Sequence, residues 1–98
     1  MRITRKEKEN IIRYAKKYFG ADVKMYLFGS RVDDKKKGGD IDLFLESKID
    51  INMYEQIEFL KQLYLHITTR KIDLVIKSPS KKDRPIYHTA KKEGILLC

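Results

Sequence analysis

Residues 40–46 read Asp-Ile-Asp-Leu-Phe-Leu-Glu, and alternation of polar and apolar residues over such a stretch is the period of a β-strand. Ile41, Leu43 and Leu45 then share one face, while Asp40, Asp42 and Phe44 share the other. Immediately upstream, Arg31 to Gly39 is a charged loop ending in glycine, preceded by Gly29-Ser30 and by the mostly apolar run Val23 to Phe28, which suits a buried strand. Further upstream, Thr4 and Glu7 form a capping box, and Ile11, Ile12, Tyr14, Ala15, Tyr18 and Phe19 follow at helical spacing. Gly20 is placed to end that helix in a left-handed conformation. Downstream, Asn52 and Glu55 repeat the capping pattern and open a helix whose core face is predicted to be Met53, Ile57, Leu60, Leu63, Tyr64 and Ile67. Lys71 to Lys77 is a third strand, with Ile72, Leu74 and Ile76 on one face and Asp73 on the other. After the polar connection Ser78 to Arg84, Pro85 opens a short helix that Gly94 closes, and Ile95 to Leu97 is a last strand or an apolar tail. The order predicts an α/β fold with helices packed on one face of a small sheet. Residues 1–98 read as a single domain without internal repeats.

Composition narrows the class of protein. Hydrophobic residues make up 42% and charged residues 37% of the 98-residue chain, which speaks against both a disordered tail and a membrane protein. The apolar run Met25 to Phe28 is far short of the roughly 18 residues that a bilayer span needs. The strongly charged start, Met1 to Lys8, is unlike a signal peptide, so a cytoplasmic location is expected. One cysteine, Cys98, excludes an intrachain disulfide and a cysteine-cluster zinc site. A net charge of +8 attracts polyanions such as nucleotide phosphates, nucleic acid or an acidic protein. The alternative is a solubilising coat, since the lysines are dispersed and do not alternate with aromatics along one stripe.

The tripeptide Ile-Asp-Leu occurs at 41–43 and again at 72–74, placing an aspartate inside a strand each time, where that residue type is depleted. If the two strands are neighbours, Asp40, Asp42 and Asp73 converge on one small patch. Carboxylates held that close repel, and a divalent cation removes the conflict. Hard Mg²⁺ favours carboxylate oxygens together with substrate phosphates. The competing reading is an open sheet face with solvated aspartates. Gly29-Ser30 adds a turn whose backbone can approach phosphate oxygens closely and whose hydroxyl can donate.

Phe28-Gly29-Ser30, nine further residues, Asp40-Ile41-Asp42-Leu43 and a later strand bearing Asp73 together resemble the polymerase-beta-like nucleotidyltransferase superfamily. The small size is similar to its minimal nucleotidyltransferase branch, whose members are often encoded beside a helical HEPN protein. The resemblance implies a nucleotidyltransferase fold with a small mixed sheet. It implies that Gly29 and Ser30 hold the triphosphate, and Arg31 is grouped with them, its alternative being a solvated loop residue. Asp40 and Asp42 would bind two Mg²⁺ ions, and Asp73 would join them at one ion and help deprotonate the attacking hydroxyl. Gly39 stands where a small hydroxyl residue often precedes the first aspartate of the family.

The expected function is therefore metal-dependent transfer of a nucleoside monophosphate, AMP from ATP, to a hydroxyl on a HEPN toxin, with this chain as the antitoxin. Two rival readings are an antitoxin that acts by binding alone and a basic nucleic-acid-binding module, the latter less favoured as no phosphate-dense basic helix stands out. No membrane partner is expected. His66 and His88 read as structural or surface residues, Tyr14, Tyr18 and Tyr64 as helix-face residues, and Cys98 as inert.

Overall fold

In the computed structural model, which describes residues 3–28, 41–66 and 71–98, the first helix starts where the capping box sets it. Glu7 N–H donates to Thr4 Oγ1 at 3.0 Å and Thr4 N–H donates to Glu7 Oε1 at 2.7 Å, so two otherwise orphaned donors of the first turn are satisfied. Helix α1 (Arg5–Phe19) buries Ile11, Ala15 and Phe19, a single line at four-residue spacing, and leaves Ile12, Tyr14 and Tyr18 half-buried at its margins. Gly20 ends it with φ +101° and ψ 162°, its N–H donating to Lys16 O at 3.1 Å. That conformation is essentially reserved for glycine. A Cβ at Gly20 would meet nothing within 4 Å, so the whole cost of Gly20→Ala is backbone strain. It is expected to destabilise the protein by about 1–3 kcal/mol, read as a lower denaturation midpoint with an unchanged m-value.

The chain continues through β1 (Lys24–Phe28), β2 (Ile41–Glu46), α2 (Met53–His66), β3 (Ile72–Lys77), α3 (Pro85–Glu93) and β4 (Ile95–Leu96). The strands lie in the order β3-β2-β1-β4. β1 is antiparallel to both β2 and β4, whereas β2 and β3 are parallel, as a helical crossover such as α2 permits and a tight hairpin does not. The sheet is thus small and mixed, as expected. The C-terminal apolar residues become the short strand β4.

Alternation sends Met25, Leu27, Ile41, Leu43, Leu45, Ile72 and Ile76 to one face, where α1 and α2 cover them. The Phe19 and Phe59 rings, 4.9 Å apart at 58°, join the two helices over that core. The opposite face carries Tyr26, Phe44 and Val75, and α3 covers it with Tyr87 and Ala90. Phe44 lies between Tyr26 and Tyr87, with both ring separations at 5.7 Å. Packing on one face therefore holds for α1 and α2, but α3 lies on the other. The reason is Phe44: a large apolar side chain on the second face, flanked by Tyr26 and Val75, requires its own cover.

Gly94 lets α3 turn back onto the sheet. A Cβ there would stand 2.3 Å from Ala90 O, 3.1 Å from Leu27 O and 3.3 Å from Phe28 Cβ, and two of those are backbone atoms that cannot swing aside. Gly94→Ala is expected to cost about 1–3 kcal/mol through overpacking, measured by thermal unfolding.

Helix α2 departs from its sequence-based face. Its Asn52 cap forms, with Glu55 N–H donating to Asn52 Oδ1 at 2.8 Å. Of that face Leu63 is buried and Leu60 half-buried against the core, but the other buried side chain is Phe59, while Met53, Ile57 and Tyr64 are 66%, 55% and 43% exposed. The helix is apolar on two sides, and α1 claims the side of Phe59. Ile67 lies outside the described residues.

Candidate active site

β2 and β3 run side by side in a register that pairs Ile41 with Ile72, Asp42 with Asp73 and Leu43 with Leu74. The two Ile-Asp-Leu tripeptides are therefore superposed across the parallel ladder. Ile41 N–H, donating to Lys71 O at 2.8 Å, anchors this end of the pairing. Because Ile41 and Ile72 face the α1/α2 core, Asp42 and Asp73 both point to the other face, that of Phe44 and Val75. On the far side of β2, Phe28 pairs with Asp42. Phe28, Asp42 and Asp73 form a row across three strands, beyond the ring cluster that α3 covers.

Residues in register on neighbouring strands are about 5 Å apart. Two carboxylates at that separation repel by about 1 kcal/mol in water and several times more where water is displaced. Both aspartates are only partly buried, and Lys71 Nζ stands 3.8 Å from Asp73 Oδ1, so a cation already offsets part of the repulsion. Lys71 is a residue that sequence reasoning passed over. Its signal was its position two residues before Asp73 on the same strand face.

β1 ends at Phe28 and β2 begins at Ile41, so the chain leaves and re-enters the sheet at the end that carries Asp42 and Asp73. Gly29, Ser30, Arg31 and Asp40 lie outside the described residues. Among the described residues no group of three or more His, Cys, Asp or Glu side chains is placed to hold a metal; the structure brings together two of the three expected acids.

The other titratable groups singled out lie elsewhere. His88 Nε2 is 2.8 Å from Asp83 Oδ2 on the surface of α3, which holds the Asp83 carboxyl below its usual value. His66 stacks on Tyr14 with centroids 6.3 Å apart. Asp50 accepts from Ser80 N–H at 3.0 Å, which lowers its pKa. The stability this bond contributes is present above the ordinary carboxylate pKa and is lost as pH falls through the depressed value. Half-burial pushes the Cys98 thiol up, away from reactivity. A cavity of about 360 Å³ lies at the opposite end of the strands, between Lys24, Glu46, Ser47, Lys77 and Ser78, remote from the paired aspartates. No described helix is long and apolar enough to cross a membrane.

The family model described as polymerase beta, nucleotidyltransferase matches residues 9–98, which takes in every strand and all but the first turn of α1. No curated protein matches the chain significantly. Given that match over the mixed sheet and all three helices, the chain belongs to the polymerase beta nucleotidyltransferase family, whose reaction is nucleotidyl transfer from a nucleoside triphosphate with the help of divalent metal.

Proposed function

We propose that this protein transfers AMP from ATP to a hydroxyl group on a HEPN-type partner, and thereby acts as the antitoxin of a toxin–antitoxin pair. The observation that carries the catalytic part is the in-register pairing of Asp42 with Asp73 on the sheet face opposite α1 and α2. The donor set fits magnesium: hard carboxylate oxygens on two adjacent strands, with Asp40 two positions before Asp42 as the third. Two Mg²⁺ ions, when bound, neutralise triphosphate charge and favour in-line displacement. Asp40, Asp42 and Asp73 are the residues that would hold them.

Within this reading Gly29 admits the triphosphate close to the backbone, Ser30 donates its hydroxyl to a phosphate oxygen, and Arg31 supplies positive charge. Asp73, on the strand away from the Asp40–Asp42 pair, accepts the proton of the acceptor hydroxyl. The acceptor oxygen forms a bond to the α-phosphorus, the bond from that phosphorus to the bridging oxygen breaks, and pyrophosphate leaves.

The test is to incubate the protein with labelled ATP and Mg²⁺ in the presence of the product of the neighbouring gene, or of a host proteome. A labelled protein that disappears with Asp42→Asn supports transfer. Neutralisation of a partner toxin by Asp42→Asn as efficiently as by wild type would leave binding alone as the mechanism. Independently, Asp42→Asn is expected to reduce Mg²⁺-dependent ATP affinity by at least about tenfold, since a charge-assisted contact worth about 1.5–3 kcal/mol is removed. Calorimetry with and without chelator measures it.

A further inference from the structure

We propose that two copies of this chain associate edge to edge through β3, about a two-fold axis at Val75, with the outer stripe of α2 packed against the same stripe of the second copy. This does not rest on the functional reading above, although its register engages Asp73, which that reading assigns to the metal site. β3 ends the sheet, and among the described residues its ladder partner is β2 alone. Lys71 O and Lys77 O accept from Ile41 N–H and Ser47 N–H on the β2 side. Alternation then aims the N–H and C=O groups of Ile72, Leu74 and Ile76 away from the sheet. Tyr64 Oη accepts from Ile72 N–H at 2.8 Å, which leaves Leu74 and Ile76 as the outward pair. Inside β3 there is no proline or glycine to blunt the edge, and the sequence Ile-Asp-Leu-Val-Ile-Lys is well suited to accept another strand.

Part of the α2 face that was predicted to be core, Met53, Ile57 and Tyr64, lies towards this edge, with Leu60 half-buried at its inner margin against the core. Met53, Ile57, Leu60 and Tyr64 recur at intervals of four, three and four residues, the spacing of a helix–helix seam. Met53 and Ile57 are more than half exposed, and Tyr64 fixes the stripe's direction, because its hydroxyl reaches the outer edge of β3 at Ile72. Leu60 packs against the core of its own chain and Tyr64 on β3, whereas Met53 and Ile57 are left largely exposed among the described residues.

Self-complementarity selects a second copy as that counterpart. With antiparallel strands centred on Val75, Leu74 faces the second copy's Ile76 and exchanges both backbone hydrogen bonds with it, and symmetry repeats the pair. Asp73 then faces the second copy's Lys77, in the pairs where cross-strand side chains come closest. A shift of the axis by one residue sets Asp73 or Lys77 against valine and loses both charge pairs. A two-fold axis perpendicular to the sheet also keeps both α2 helices on one face, antiparallel and adjacent. An edge and one helix stripe amount to an interface at the small end of specific complexes, about 1,200 Å² in all, so association is expected at micromolar concentration.

Sedimentation velocity from about 5 to 500 µM is the first measurement. Wild type is expected to be dimeric at the upper end, with Ile57→Asp and Lys77→Glu each weakening association by at least about tenfold. Circular dichroism confirms that the variants remain folded. Asp73→Lys combined with Lys77→Glu is expected to restore the dimer that Lys77→Glu loses. In a Cys98→Ser background, Val75→Cys is expected to give a disulfide-linked dimer on mild oxidation, whereas Lys17→Cys on α1 is not. Monomeric wild type at 500 µM overturns the proposal, even if the same residues bind a different protein. A dimer that the charge exchange does not restore, or that Val75→Cys does not cross-link, overturns the register and with it the proposal.

Discussion

Replacement of Asp73 by asparagine is expected to slow nucleotidyl transfer by about 10²- to 10⁴-fold, the range typical of general-base catalysis, while nucleotide affinity changes little. Asparagine preserves shape but can neither accept the acceptor's proton nor contribute negative charge. Asp73 sits on β3, across the ladder from Asp42, so under the proposed function the carboxylates of Asp40 and Asp42 would still hold metal and triphosphate in the variant. A merely solvated strand aspartate predicts no change in either quantity. Its partner Lys71, at 3.8 Å and largely exposed, would lose only a surface ion pair, which is worth little. Pyrophosphate release and ATP affinity, measured on the same variant with the acceptor present, separate the two outcomes. Wild-type release rates would remove Asp73 from the chemistry.

Phe44→Ala is expected to destabilise the fold by about 3–5 kcal/mol, a large part of the roughly 5–15 kcal/mol that holds a domain together. Phe44 is fully buried between Tyr26 of β1 and Tyr87 of α3. Its removal opens a cavity that aromatic neighbours on rigid elements cannot close, and it unseats α3 from the second face. Urea denaturation gives the loss directly, and earlier exchange of α3 amides than of α1 amides would show where the structure loosens first. A cost below about 1 kcal/mol would mean that α3 is not held by this ring.

Much of the fold was legible locally. Thr4 and Glu7 marked the start of α1, Gly20 its end, and the alternation of residues 41–46 separated Asp42 from the core residues Ile41 and Leu43. These features depend on neighbours within a few positions, so a one-dimensional reading reaches them. The candidate site was legible in the same way. The repeated Ile-Asp-Leu placed an acid at equivalent positions of two strands, and convergence then required only that those strands be adjacent and in register.

Local patterning set the strands, the faces their residues take, the ends of α1 and the acids placed inside β2 and β3, because backbone periodicity and capping depend on near neighbours. Tertiary packing settled that the two tripeptides align in parallel register, that α3 covers Phe44 from the opposite face, and that Lys71 pairs with Asp73. It also decided which of two apolar stripes on α2 is buried. Periodicity shows that a helix is amphipathic, but α2 is apolar on two sides, and the choice went to Phe59 because Phe19 of α1 packs there. Burial is set by the element that arrives on the other side of the contact, and that element lies far away in the chain.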